Sequence, residues 1–169
     1  FTPTSIQGNF TVSATNNVQL RVQTTNLTIG GNYTQSGTTS VRMASGTTAR
    51  TWTVVGDVSI SGGTLTMSTG IGIGTLNVAG DFSITGGTIT ETSTGSGAIV
   101  FNGTGIQTYT SGGTISNTVN FTVNSGATLQ MASATTVVSG GGSFTLSNGA
   151  TLGITSTAGI TTSGATGNI

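Results

Sequence analysis

The sequence predicts an all-β protein: a right-handed parallel β-helix (β-solenoid) of about seven coils of roughly 19–25 residues, with no helix. Three observations lead to this prediction: a motif that occurs twice, an alternation of apolar and polar residues within it, and a low charge content. Residues 54–66 return 24 positions later as residues 78–90, and a fixed period of this size is typical of repeat architectures. The alternation has the period of a strand, not of a helix.

The repeated unit starts with what we call the Gly–Asx motif: Gly, then Asn, Asp or Ser, then a large apolar residue, then Ser or Thr. Gly80-Asp81-Phe82-Ser83 is one instance, and fainter copies lie on both sides of it. We expect the large residues to stack as one inward column, with coils about 4.8 Å apart. No single repeat can bury this column alone, so the coils must stack. The predicted core column is Phe10, Tyr33, Val58, Phe82, Phe101, Phe121 and Phe144.

The spacing of this column is uneven at one place. Copies of the motif follow one another at nearly equal steps, except for one much longer step between Phe82 and Phe121. We favour two short coils in this step, one from Phe82 to Phe101 and one from Phe101 to Phe121. The other interpretation is a single coil with an inserted loop around residues 94–105.

Paired glycines are expected to turn the chain within each coil, because glycine adopts backbone angles that are closed to other residues. Gly62-Gly63 and Gly86-Gly87 are the strongest of these corners, and a second strand follows each, at 64–67 and 88–90. Further second strands are expected at 128–131 and 151–154, and further corners at Gly112-Gly113, Ser125-Gly126 and Asn148-Gly149.

Composition argues against most other classes of protein. Charged residues make up 4% of the 169 residues, against roughly 25% in ordinary domains. The net charge of zero argues against a nucleic-acid interface, which needs a basic face, and no apolar run has the length of a membrane span. The chain has no His, Lys or Cys, so the usual general bases, Schiff bases and metal ligands are missing. We therefore predict no catalytic residue and no cofactor.

Two acidic residues occupy the same place in successive coils. Asp57 and Asp81 are expected to lie about 5 Å apart if the coils stack in register. The favoured interpretation is a ladder of Asn, Asp and Ser side chains that bond to turn backbone. The alternative is a calcium site, because calcium takes carboxylate and carbonyl oxygens as ligands. The ladder is predicted to contain Asn9, Asn32, Asp57, Asp81, Asn120 and Ser143.

Two surface features are candidates for binding. Thr64, Thr66, Thr88 and Thr90 form a Thr-x-Thr array two coils deep that resembles ice-binding solenoids, although Thr is also a common outward residue of strands. Trp52, if it is exposed, is a candidate for stacking on sugars. Packing of Trp52 in the core is the favoured alternative.

Three segments, 101–109, 124–129 and 152–169, resemble repeat modules of very large secreted surface proteins of Bacteroidota. The resemblance covers most of residues 80–169 and is weaker before them. It implies a β-solenoid stalk that is secreted to the cell surface and acts in adhesion or in extracellular fibres, and it brings no catalytic residue.

These observations lead to one functional prediction. Residues 1–169 are expected to form a single β-solenoid segment, a fragment of a longer repeat chain, in a non-catalytic extracellular fibre or adhesin stalk. Its partner would be itself, through end-to-end stacking, covalent continuation or lateral packing, with surface polysaccharide as a second partner. The alternative is a binding module that presents a Thr-rich or aromatic face to polysaccharide or ice. A polysaccharide-degrading β-helix enzyme would need clustered acids, which the sequence lacks.

Overall fold

The computed structural model describes residues 3–16, 19–22, 25–160 and 169, so most of the last segment of the resemblance, 161–168, lies outside the described residues. Within these ranges every regular element is a β-strand, and they contain no helix long and apolar enough to cross a membrane. The strands are β1 (Ser5–Ile6), β2 (Phe10–Ala14), β3 (Gln19–Arg21), β4 (Leu27–Ile29), β5 (Tyr33–Gly37), β6 (Ser40–Ala44), β7 (Arg50–Val54), β8 (Val58–Ser68), β9 (Gly74–Val78), β10 (Phe82–Thr90), β11 (Gly97–Phe101), β12 (Ile106–Thr110), β13 (Thr114–Ile115), β14 (Val119–Val123), β15 (Thr128–Met131), β16 (Phe144–Leu146) and β17 (Thr151–Gly153).

All pairings between these strands are parallel, and they stack the chain into a β-solenoid of about six turns. Each pass of the chain adds one strand to ladder A, then one to ladder B and, in the first five passes, one to ladder C. The seven passes through ladder A are separated by six full turns. Ladder A contains β1, β4, β7, β9, β11, β14 and β16. Ladder B contains β2, β5, the first parts of β8 and β10, β12, β15 and β17, and ladder C contains β3, β6, the second parts of β8 and β10, and β13. The predicted fold class is confirmed, and seven coils is close to the number of turns.

The longest strands, β8 and β10, each pass from ladder B to ladder C at a glycine pair. Gly63 and Gly87 have φ angles of +73° and +71°, a region that L residues with a side chain rarely adopt. A Cβ atom on Gly87 would lie 2.6 Å from the carbonyl oxygen of Gly63 in the turn below. The two corners therefore require glycine both for backbone angle and for the close approach of successive turns.

The interior is filled by apolar side chains that stack in columns from turn to turn. Trp52, Leu76, Ile99 and Phe121 succeed one another in ladder A, and all are at most 1% exposed. Val41, Leu65 and Ile89 do the same in ladder C, with no exposed surface. Each such side chain contributes about 1.5–3 kcal/mol through burial.

The single core column predicted from the sequence is wrong in its second half. The structure stacks Phe10, Tyr33, Val58 and Phe82 in ladder B, and Tyr109, not a phenylalanine, follows Phe82. The remaining residues of the predicted column belong to ladder A, in two different columns of it. One contains Phe101, and the other contains Phe121 and Phe144.

The cause is a change of phase in the long step between Phe82 and Phe121. One full turn brings the chain from Phe82 to its true partner Tyr109 in ladder B, and only part of a further turn brings it to Phe121 in ladder A. Neither two short coils nor one coil with a loop describes this stretch, because it does not span a whole number of turns. As a result, β15 and β17 lie in ladder B instead of following a B-to-C corner, and Ser125-Gly126 and Asn148-Gly149 turn the chain from ladder A to ladder B.

Candidate functional site

A ladder of side-chain hydrogen bonds runs along the edge where ladder A passes into ladder B. In each case a side-chain oxygen of one turn accepts the backbone N–H of the residue one turn later. The Oδ1 atom of Asn9 accepts from Asn32, that of Asn32 from Asp57, and that of Asp57 from Asp81, each at 2.9 Å. Asp81 Oδ1 then accepts from the N–H of Thr108 at 2.7 Å. We call this row the Asx ladder.

The Asx ladder explains why the Gly–Asx motif begins with glycine, because a side chain at this position would collide with the ladder. Gly31, Gly56 and Gly80 stack at the corner, and the N–H of Gly80 donates to the carbonyl of Gly56 at 3.1 Å. A Cβ atom on Gly80 would collide with the Oδ1 atom of Asp57 and lie 2.6 Å from the backbone of Gly56. Glycine at this place leaves room for the side chain that joins the two turns.

The ladder predicted from the sequence is present, but in two parts. Asn120 and Ser143 do not continue the row of Asp57 and Asp81; they lie in ladder A, where Asn120 Oδ1 accepts the N–H of Ser143 at 2.9 Å. Asn26 makes the same bond in ladder A to the N–H of Thr51 at 3.0 Å. The same side-chain bond between turns thus occurs in both ladders, and its acceptor is always the residue before an inward side chain.

Asp57 and Asp81 are exposed neighbours in successive turns, as predicted. One carboxylate oxygen of each accepts a backbone N–H, which leaves the other oxygen to solvent or to a partner. Within the described ranges no group of three or more His, Cys, Asp or Glu residues could hold a metal ion. A calcium ion at this pair stays a prediction.

The threonine array lies on ladder C, but only half of it reaches the surface. Thr64 and Thr88 are neighbours and half-buried. Thr66 and Thr90 are 6% and 8% exposed, so their expected exposure to solvent is wrong. The Oγ1 atom of Thr90 accepts from Ser116 Oγ at 2.9 Å and from Asn117 Nδ2 at 3.1 Å, and these side chains from the next turn cover it.

Trp52 has no exposed surface, so its proposed role in stacking on sugars is wrong. It packs across the interior against the rings of Tyr33 and Phe10, with ring centroids 5.7 and 6.1 Å away. Its Nε1 atom has no hydrogen-bond acceptor within the described part of the chain. The structure places Trp52 in the core, which is the alternative that the sequence favours.

Two buried glutamines have structural roles that sequence reasoning missed. Gln35 has no exposed surface, accepts the hydroxyl of Tyr33 at 2.7 Å, and donates weakly to backbone carbonyls. Gln107, 1% exposed, accepts the N–H of Gly103 at 2.8 Å and donates to the carbonyls of Val78 at 2.9 Å and Gly80 at 2.6 Å. Each glutamine stands at an apolar position of a strand. That break in the alternation is the sequence signal that was available.

The one glutamate is also structural. Glu91 is 4% exposed, and its Oε2 atom accepts the N–H of Ser93 at 3.0 Å. One turn earlier, the Oγ atom of Ser68 accepts the N–H of Gly70 at 3.2 Å in the same i to i+2 arrangement. Glu91 therefore shapes the loop that leads from ladder C back to ladder A.

The two tyrosines sit on the interior side of ladder B. Burial raises the pKa of both phenols well above the ordinary value of 10.0. Tyr33 donates to Gln35 at 2.7 Å, while the hydroxyl of Tyr109 reaches only the carbonyl of Val137, at 3.5 Å. Both phenols therefore stay protonated in the folded chain at any ordinary pH.

Two arginines form the counterpart of the aspartate pair. Arg21 and Arg42 are register partners in ladder C, on successive turns, and Arg21 donates to Oε1 of Gln19 at 2.9 Å. Neither makes an ion pair with an acidic side chain in the described ranges. The third arginine, Arg50, starts β7 in ladder A.

Comparisons with protein-family models, with curated proteins and with solved structures find no match to this chain.

Proposed function

We propose that the chain is a non-catalytic structural segment of an extracellular fibre or of the stalk of a cell-surface adhesin. The observation that supports this most is the continuity of the stack. Ladder A joins seven strands without a break, and the Asx ladder and its counterpart in ladder A add side-chain bonds between successive turns. At about 4.8 Å per turn, such a stack gives a spacer whose length is set by the number of its turns.

The composition of the surface fits the same role. Two outward columns consist of short polar side chains over successive turns. They are Thr11, Thr34, Ser59, Ser83 and Thr110 in ladder B, and Ser40, Thr64, Thr88 and Thr114 in ladder C. A surface with few charges lets neighbouring rods approach without repulsion. We propose the extracellular space or the cell surface as the location, in line with the resemblance of residues 101–109 and 124–129 to secreted repeat modules.

The alternative, a module that binds polysaccharide or ice, has less support from the geometry. It needs an exposed aromatic or a flat threonine array, and Trp52, Thr66 and Thr90 are buried. Incubation of the purified chain with immobilised glycans and measurement of thermal hysteresis test this alternative. Binding that Thr64→Ala and Thr88→Ala abolish would favour the module over the passive rod.

The rod itself is tested by prolonged digestion with a protease of broad specificity, since trypsin has only three sites in a chain without lysine. We expect a fragment containing β4 to β15 to survive, because cleavage needs local opening of paired strands. Rapid digestion throughout this region would contradict the proposal. Immunogold labelling of intact source cells tests the location, and label found only after lysis would refute an extracellular role.

A further inference from the structure

The charges of this chain are segregated in a way that its fold does not require. All six charged side chains lie within the described residues, and four of them form two pairs of like sign. Arg21 stands next to Arg42 in ladder C, and Asp57 stands next to Asp81 on the Asx ladder. Like charges destabilise adjacent strands, where the arginines lie, and they repel equally at the corner where the aspartates lie. Each pair therefore carries a repulsion that the chain itself does not neutralise.

Neither pair is explained by structure alone. Asn9 and Asn32 make the same ladder bond as the aspartates, at the same 2.9 Å, so the ladder needs an oxygen and not a charge. Arg42, which is half-buried, is followed by Thr66 and Thr90 in later turns of the same column, so this outward position also takes a small neutral residue. The two pairs are therefore best explained by a partner outside the chain.

The two pairs complement each other in sign and in spacing. Register partners on adjacent turns are about 4.8 Å apart along the axis, in ladder C and on the Asx ladder alike. A rod that places its arginine pair on the aspartate pair of a second rod forms two parallel ion pairs at once. Arginine suits this role, because its planar guanidinium binds carboxylates through two hydrogen bonds.

The surface around the aspartates is also suited to contact. Val55, two residues before Asp57, is 54% exposed, and Ile106, two residues before the Thr108 that bonds Asp81, is 72% exposed. Exposed apolar side chains rimmed by polar residues mark contact sites, and a polar rim around an apolar centre is the usual arrangement of a protein interface. The aspartate edge therefore offers both charge and apolar area to a second rod.

We propose that copies of this chain associate laterally, the Arg21 and Arg42 pair of one copy binding the Asp57 and Asp81 pair of the next. This inference rests on the proposed fibre function and names the surface through which its rods bundle. The two patches differ and lie on different faces, so the contact is heterologous and leaves one pair of each sign unused at the ends of an assembly. In parallel rods it staggers neighbours by about two turns, roughly 10 Å.

Sedimentation velocity of the whole chain at low ionic strength tests this association. Exposed ion pairs contribute little individually, so protein concentrations up to about 1 mM are needed. We expect the mean mass to rise with concentration and to fall to the monomer at about 0.5 M salt, where the screening length is only a few ångströms. A wild-type chain that stays monomeric at low salt overturns the proposal.

Complementation between variants gives the decisive result. Arg21→Gln/Arg42→Gln and Asp57→Asn/Asp81→Asn each keep one patch, so each alone is expected to remain monomeric. An equimolar mixture should give dimers but no longer assemblies, because only one productive pairing remains. Arg50→Gln, which removes an arginine from ladder A, is the control and should assemble like the wild type. Circular dichroism checks that all variants are folded.

Other outcomes would refute the second copy as the partner. If the arginine variant assembles like the wild type, or if the mixture stays monomeric, the pairs do not meet. If a monomeric wild type binds a sulfated polysaccharide through Arg21 and Arg42, the arginine pair serves a different partner. The protease and localisation tests do not depend on these charges, so a rod that persists without association leaves the fibre function standing and removes only this inference.

Discussion

The Gly–Asx motif occupies different ladders in the two halves of the molecule. In the first half, Gly80-Asp81-Phe82-Ser83 and its copies lead into ladder B. In the second half, Asn120-Phe121-Thr122 and Gly142-Ser143-Phe144-Thr145 lie in ladder A. The hydrogen bond is the same in both: the side chain before the aromatic, Asn32 in the first half and Asn120 in the second, accepts an N–H one turn later, at 2.9 Å. The motif therefore encodes a bond between turns and an inward ring, and it does not encode a position around the turn.

The largest expected effect comes from placing a charge at the inward aromatic position of one copy of the motif in each half. Phe82→Asp in ladder B and Phe121→Asp in ladder A should both abolish folding, because each buries an unpaired carboxylate, at a loss above about 5 kcal/mol. Both rings are at most 1% exposed. Thermal unfolding by circular dichroism measures the loss, with Thr88→Asp, at a half-buried outward position, as the tolerated control. If Phe121→Asp were as mild as Thr88→Asp, the burial of Phe121 in the core of the second half would be wrong.

The next effect is expected at the change of phase between the halves. Gln107→Leu removes the groups that satisfy the N–H of Gly103 and the carbonyls of Val78 and Gly80. The loss should be about 3 kcal/mol, since buried polar groups without partners are expensive. Urea denaturation measures it. Gln130→Leu, at a half-buried position with one bond to the carbonyl of Met131, is the matched control and should lose less than about 1 kcal/mol.

A pH titration probes the buried rings of both halves together. The folded chain holds the pKa of Tyr33 and Tyr109 above its unfolded value, so folding binds protons above about pH 10. Stability should fall from that pH upward, by about 1.4 kcal/mol per pH unit for each tyrosine. Tyr109→Phe should halve this slope. Tyrosinate absorbance that appears while the circular dichroism is still native would contradict the burial of the rings.

A smaller effect tests whether the side-chain bond of the motif contributes equally to stability in ladder A and in ladder B. Asp81→Leu in ladder B deletes the bond to the N–H of Thr108. Asn120→Leu in ladder A deletes the bonds to the N–H and to the exposed hydroxyl of Ser143. Because that hydroxyl can bond to water instead, each variant should lose about 1 kcal/mol. Asp81→Asn keeps the oxygen and should lose nothing. Guanidinium unfolding measures both losses. Equal losses support the conclusion that the same side-chain bond stabilises ladders A and B, and a loss confined to Asp81→Leu would contradict it.

The smallest change is expected in the aromatic cluster of the first half. Trp52→Phe removes a buried N–H that has no acceptor in the described residues, which offsets the lost packing of the larger ring. The net change in unfolding free energy should be within about 1 kcal/mol. Trp52→Ala, which leaves a cavity, is the reference and should lose about 3–5 kcal/mol.

The fold class followed from the sequence because alternation and period are local and repeat many times. The phase of the second half did not follow, because Phe82 and Phe121 have similar neighbours in sequence. The pairing of Phe82 with Tyr109 in ladder B and that of Phe121 with Ile99 in ladder A tell the two ladders apart, and both join residues in unlike sequence contexts. Alternation predicts that Thr90 points outward, but it cannot predict its exposure, which depends on Ser116 and Asn117 from the next turn.

The Asx ladder gives the rod a direction. Every acceptor belongs to the earlier turn and every donor to the later one, from Asn9 through Asp81 to Thr108. A chain that emerges with its amino terminus first therefore presents each acceptor before the matching donor exists. Once the first few turns have packed on one another, each finished turn is a template for the next, so the protein can assemble in the order of its own synthesis.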